Sequence, residues 1–351
     1  AGGLRMDSRA RSLIEQGDHL FKKRGALLSL WQEIADNFYP ERGGFTTSRR
    51  AGANGGQDFA AHLTTSYPLL ARRDLGNAFS AMLRPTAKEW FSIRAKREEQ
   101  EDRNGRAWLE WATGVQRRAM FDRGTQFTRA TKEGDHDFAA FGQCALTVEL
   151  NADRDALLYR CWHLADVAWC ENAEGRIDTV HRKWRPTARD LARLFPGSLH
   201  ATVARLATEK PYAEVEVRHV VIPADQYGEG VAAEQKRRTP YMSVYIDVEN
   251  QHVLEEVGVF NPIYVIPRWQ TVSGSPYAHS PATVAALPDA RLIQAMTQAL
   301  LDAGEKAASP PLLGVQEAIR SDIQVFAGGI TWVDAEYDER LGEVLRPLTQ
   351  D

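Results

Sequence analysis

SGSPYAHSPATVAALPDARLIQAMTQALLDAGEK, running from Ser273 to Lys306, is the stretch around which the rest of the chain is organised. It opens with Gly, Ser and Pro, which do not sustain a helix. Ser280 stands directly before Pro281, the pairing of an N-cap with a first helical position. Pro288 follows about two turns later; lacking an amide donor and restricting Leu287, it predicts a kink or a restart. Beyond it, Leu292, Met296, Ala299, Leu300 and Ala303 form one apolar stripe. Arg291, Gln294, Gln298, Asp302 and Glu305 form an opposite polar stripe at helical spacing. A helix from Pro281 to Lys306 would be roughly 40 Å long at about 1.5 Å per residue. Its alanines leave room for a neighbouring backbone, and Pro310-Pro311 stops it.

Outward from this stretch, the 351 residues suffice for one large or two modest domains. Hydrophobic residues make up 43% and charged residues 26%, both ordinary for a globular chain. No run approaches the length of a membrane span, and the first residues lack the apolar centre of a signal peptide. The three cysteines, Cys144, Cys161 and Cys170, have no paired-ligand spacing, which predicts reduced, buried thiols in a cytosolic setting. A net charge of −4 is not that of a protein that grips DNA through its phosphates.

Before the long helix the fold class reads as α+β. Residues 5–39 carry Leu13, Leu20, Leu27, Trp31, Ile34 and Phe38 at helical spacing, with Pro40 as the stop. Residues 41–58 read as a basic loop. Residues 59–84 predict a helix burying Leu63, Leu70, Leu75, Phe79 and Met82, and Trp90 to Ile93 predict a short strand. The mixed charges from Lys96 to Arg103 predict a solvated segment. Helices follow from about Trp108 to Phe121 and over 125–140. From Gly142 the period becomes that of strands: 144–150, 157–162, 167–170 and 177–184, the last two flanking the turn Asn172-Ala173-Glu174-Gly175. Two short helices, starting at Pro186 and near Leu199, precede strands at 213–222, 241–248, 253–260 and 264–267. The alternation from Val215 to Val220 predicts a sheet with one wet face. Residues 223–240 read as a long polar loop. After the helix come short strands at Leu312 to Val315 and Phe326 to Val333, then the acidic loop Asp334 to Glu339.

Five stretches, in this order, carry a resemblance: LWQEIADNFYP at 30–40, NAFSAML at 77–83 with Trp90-Phe91, FGQCAL at 141–146, GSPY with Ser280-Pro281 and the long helix, and GITW at 329–332. Together they resemble the head-to-tail connector (portal) proteins of short-tailed, T7-like bacteriophages. The resemblance implies a dodecameric ring at a capsid vertex of the virion, assembled in the host cytoplasm. Double-stranded DNA would pass through it during packaging and ejection, and the terminase motor, tail or adaptor proteins and capsid protein would dock on it. It implies no cofactor, no metal, no membrane and no enzymatic activity. The implied layout is a helical part of the wing at 1–140, a mixed part at 141–275, a stem at 276–306, a clip at 307–325 and a tunnel-loop region at 326–351. In that layout the polar stripe lines the channel and the apolar stripe packs subunits together. Asp334, Glu336, Asp338 and Glu339 then belong to the tunnel loop. Members of the family usually continue with another helix and a crown; with the sequence running to Asp351, either the chain is a short member or it is a piece of a longer one.

Motifs for catalysis are few. No Walker loop, His-Glu-x-x-His, Gly-x-Ser-x-Gly or calcium loop occurs. The alternative to a structural ring is a metal-dependent nuclease or other DNA-processing enzyme built on Glu133, Asp135, His136 and Asp137, with Glu149 downstream. Hard cations need several anionic oxygens in one place. Consecutive positions on a helix point in different directions, which predicts a polar surface instead. Gly274 to Ser280 resembles a phosphate cradle before a helix, but its prolines remove the amides a cradle needs.

Overall fold

A computed structural model describes residues 8–46, 60–85, 88–96, 102–227 and 239–308 and the strands 312–314 and 345–347. It is α+β. Helices α1 (Ser8–Lys23), α2 (Gly25–Phe38), α3 (Tyr67–Leu83), α4 (Arg103–Met120) and α5 (Phe127–Phe141) come first. Strands β1 (Ala145–Leu150), β2 (Leu157–Trp162), β3 (Val167–Glu171) and β4 (Ile177–Trp184) follow, then α6 (Ala188–Leu194) and α7 (Ala201–Glu209). Next are β5 (Val217–Pro223), β6 (Tyr241–Asp247), β7 (His252–Val259), β8 (Tyr264–Val265), β9 (Gln270–Thr271) and β10 (Ala278–His279). Helix α8 (Pro281–Ala308) leads to β11 (Leu312–Gly314) and β12 (Leu345–Pro347). The chain forms two compact units: residues 1–61 with 67–287, and residues 62–66 with 288–351.

In the first unit β3 to β7 form an antiparallel sheet in chain order. On one face, Ala10, Leu13 and Ile14 of α1 pack against Val220, Ile222, Met242, Val244 and Ile246. On the other, Leu191 of α6, Val203 of α7 and Phe195 between the two helices pack with Val217 and Leu254. A second sheet, ordered β2-β1-β8, pairs Ala145 with Trp162 and Leu146 with Val265. In the second unit, β11 pairs antiparallel with β12.

Several expectations are corrected. The helix expected over 5–39 is two, broken at Arg24, whose backbone leaves the helical region. The Arg24 guanidinium is buried and donates to the carbonyls of Leu164 at 2.6 Å, Val167 at 2.7 Å and Ala165. A long-range demand on one side chain interrupts a good local helix signal. In α3 the buried positions are Pro68, Arg72 and Gly76, while Leu70 and Met82 are exposed. Arg72 lies inside because its Nε donates to the Phe38 carbonyl and its guanidinium covers the Tyr39 ring, 3.8 Å from the centroid. Trp90 to Ile93 form no strand; the Ile93 amide donates instead to the Thr113 hydroxyl. The sheet has no wet face at β5, because Arg218 and His219 are both buried. Arg218 meets Asp18 of α1 at 3.0 Å, and His219 stacks on Tyr245. Strand β10 lies within the Gly-, Ser- and Pro-rich opening of the Ser273–Lys306 stretch, where it pairs with β9. The expected strand at 326–333 and the acidic loop lie outside the described residues.

Candidate assembly helix and its anchor

Helix α8 is 28 residues long and continuous through Pro288, so no restart occurs there. Its first turn is fastened by side chains rather than by apolar burial. The Ser280 hydroxyl donates to the Ala139 carbonyl at 2.7 Å and accepts the Thr283 amide. The Thr283 hydroxyl donates to the Ala140 carbonyl at 2.6 Å. Both carbonyls are in the last turn of α5, where the helix itself leaves them without amide partners. Gly142 closes that turn with φ +71°, and a side chain there would collide with the backbone of His279 and Ser280. Next to it, buried Gln143 accepts the Ala278 amide at 2.8 Å.

Aromatic rings fill the space around this anchor. Trp31 touches Phe45, Phe141 and Tyr277, with centroids 5.6, 6.2 and 6.0 Å away. Tyr277 also lies 4.5 Å from Trp169, whose Nε1 donates to the Pro276 carbonyl at 3.0 Å. Phe79 meets Phe138 and Trp269 edge-on. Three of the five stretches singled out in the sequence therefore meet at the base of α8, and Phe79 of a fourth packs against Phe138 of α5. The fifth, at 329–332, lies outside the described residues. The Gly274 to Ser280 loop is spent on these contacts, not on a phosphate cradle.

The second unit holds the rest of α8, from Pro288. Of the expected polar stripe, Arg291, Gln298, Asp302 and Glu305 are exposed, and Gln298 donates to Asp302 at 2.8 Å. Gln294 is half-buried. Its Oε1 accepts the Thr64 amide at 2.8 Å and the Thr64 hydroxyl at 2.6 Å, and its Nε2 donates to the Thr65 carbonyl at 3.2 Å. Nothing in the sequence pattern signals this brace, because its partners are far apart in the chain. The apolar stripe is open: Leu292, Met296 and Leu300 are 58%, 62% and 73% exposed, and Ala299 and Ala303 are exposed with them. A second exposed apolar stripe, Trp108, Trp111 and Val115 of α4, was legible only as a helix start.

The acidic cluster does not converge. Asp137 is buried and takes Arg42 in two hydrogen bonds of 2.8 and 2.6 Å. Asp135 pairs with Arg84, Glu133 with Arg129, and Glu149 accepts the Tyr245 hydroxyl. Burial raises the Asp135 pKa against the pull of Arg84. His136, beside Arg72 at 3.0 Å, is pushed down to about 4 by burial and by the positive charge of Arg72. Among the described residues no group of His, Cys, Asp and Glu is placed to hold a metal ion. The cysteines are free; burial raises the thiols of Cys144, Cys161 and Cys170, which leaves them poor nucleophiles. No described helix is long and apolar enough to cross a membrane.

The family model described as "Bacteriophage head to tail connecting protein" matches residues 10–350. The chain is 26% identical over 330 residues to the "Probable portal protein" of Bordetella phage BPP-1, covering 92% of this chain and 58% of that protein. It is 22% identical over 329 residues to the "Portal protein" of Salmonella phage epsilon15, covering 92% of this chain and 57% of that one. The chain thus spans less than two thirds of the length of each of these relatives.

Proposed function

The chain belongs to the family of bacteriophage head to tail connecting proteins, and from that membership we propose that it is a portal subunit, acting as a ring at a capsid vertex of the virion. The observation that carries the ring is the open apolar stripe of α8, Leu292, Met296 and Leu300. A row of large apolar side chains left in water on one subunit marks a surface that a partner covers. A second copy of the same helix supplies the same shape and small Ala299 and Ala303 for close approach. In this reading residues 1–275 are the wing, 276–306 the stem, 307–325 the clip and 326–351 the tunnel-loop region. Twelve copies surround double-stranded DNA, and the terminase motor, the tail proteins and the capsid protein dock on the ring, which is assembled in the host cytoplasm.

Exposed Arg291, Gln298, Asp302 and Glu305 lie on the lumenal side, with Gln294 on the same side as a brace to residues 64 and 65. Acids facing phosphates oppose adhesion and let DNA move both ways. Asp334, Glu336, Asp338 and Glu339 act beside that DNA, and no catalytic step is assigned to the chain. The separation of the acidic cluster into individual arginine pairs favours this structural role over a nuclease. The test is mass in solution with negative-stain images. A closed multi-subunit ring supports the proposal, and a monomer at assembly concentrations overturns it.

A further inference from the structure

Between the β2-β1-β8 sheet and the strands β6 and β7 lies a cavity of about 430 Å³. Its walls are mixed, with Val148, Leu158, Phe195, Val257 and Ile263 supplying apolar surface, and exposed Leu150, Ala152 and Arg154 mark its mouth. That size and lining are those of a small-molecule site. None of its lining residues belongs to α8 or to the anchor at its base.

Arg182 lines the cavity and is almost wholly buried, at 1% exposure. Its Nε donates to the Tyr264 hydroxyl at 2.8 Å, and its guanidinium lies 3.6 Å from the Trp162 ring centroid. Its Nη2 is 3.3 Å from His219 Nδ1. An arginine only donates, so His219 Nδ1 accepts and its Nε2–H goes to Ser243, 2.9 Å away. His219 is therefore the neutral imidazole, and burial pushes its pKa far down. None of these partners carries a negative charge. Among the described residues no carboxylate lies within ion-pair distance of Arg182, and its buried Nη1 has no hydrogen-bond partner. Glu149 also lines the cavity, with one oxygen committed to Tyr245 at 2.9 Å. Glu255 is paired with Arg154 at 3.3 Å. The lining holds Arg154, Arg160 and Arg182 against Glu149 and Glu255, an excess of one positive charge. Against the cost of burial, Tyr264, Tyr245 and the more distant Glu149 keep Arg182 charged, but its Nη1 is left without an acceptor, which an anion in the cavity would supply.

We propose that this cavity binds a small apolar molecule bearing one negative charge, such as a medium-chain carboxylate, with its tail between the sheets and its charge toward Arg182. The probe is decanoate, titrated calorimetrically into the assembled protein, with decanol as its uncharged counterpart. The expected result is one site per chain, at least tenfold weaker binding of decanol, and at least tenfold weaker decanoate binding in Val257→Trp, which fills the cavity from its rim. Arg182→Met should equalise decanoate and decanol. If that variant does not fold, Val257→Trp decides alone. Undetectable decanoate binding, equal binding of decanol to the unaltered chain, or undiminished binding by Val257→Trp would each overturn the proposal.

Discussion

The hydroxyl of Ser280 donates to the backbone carbonyl of Ala139 at 2.7 Å, so the start of α8 is tied to the end of α5. Thr283 repeats the tie to Ala140. One helix end satisfies the carbonyls that the other leaves open. Replacing both hydroxyls, Ser280→Ala with Thr283→Val, leaves two buried carbonyls short of a donor, at about 1 to 3 kcal/mol each. The expected outcome is a melting temperature lowered by several degrees with the secondary structure intact, read by circular dichroism. An unchanged melting temperature would mean that the anchor is not held by these bonds.

Gly142 and Gly175 separate two causes of glycine preference. Both have positive φ, +71° and +75°. A side chain at 142 meets the His279 and Ser280 backbone, whereas one at 175 meets nothing. Gly175→Ala should cost about 1 to 2 kcal/mol, the left-handed penalty alone. Gly142→Ala should cost more than that and free the start of α8. Urea unfolding of the two variants side by side checks the order, and equal costs would contradict it.

Histidines held neutral by burial make stability fall with acid. His181 is lowered to about 3 and His219 well below its ordinary value, both mainly by desolvation. The unfolded chain binds a proton near pH 6.5 that the folded chain refuses, so stability rises with pH between the two values. This contribution is complete above about pH 6.5 and is lost as pH falls below it. At pH 5 His181 costs about 2 kcal/mol, from about 1.4 kcal/mol per pH unit over the interval below about 6.5, and His219 adds to it in the same direction. The urea midpoint should therefore drop between pH 7.5 and pH 5. A His181→Gln variant should show a shallower drop; an unchanged slope would remove His181 from the account.

Much of this fold is readable in one dimension because its signals are local. The turn Asn172 to Gly175 and the spacing of Leu292, Met296 and Leu300 need no distant partner to be recognised. What is not readable depends on contacts across the chain. Arg24 breaks a helix to reach Leu164 and Val167. Arg72 takes the inner face of α3 because Phe38 and Tyr39 are there to receive it. Arg218 looks like the wet side of a strand until α1 covers it. A charged residue that is buried with its partner leaves the same sequence trace as one in water. The anchor of α8 was half visible: its stretches stood out, but the role of Ser280 as a donor to α5 did not.

The polar side of α8 should act on DNA and not on assembly. Asp302 and Glu305 are both exposed. Asp302→Lys with Glu305→Lys turns two negative charges into two positive ones, which attract phosphates and release counter-ions. Ring mass should stay unchanged while DNA ejection slows, most at low salt. Ejection at the unaltered rate at every salt concentration would place these residues outside the channel.

The central claim is that the apolar stripe of α8 is covered by copies of itself. Leu300 is the most exposed large residue of that stripe, at 73% in the single chain. A charge there should cost the isolated subunit nothing but would be buried without a partner in every subunit contact. The most direct measurement is sedimentation velocity of the unaltered chain and of Leu300→Asp at the same concentration, with circular dichroism on both. The account predicts a large closed particle for the first and a folded small species with the same dichroism for the second. A Leu300→Asp chain that sediments as the same large particle would contradict it.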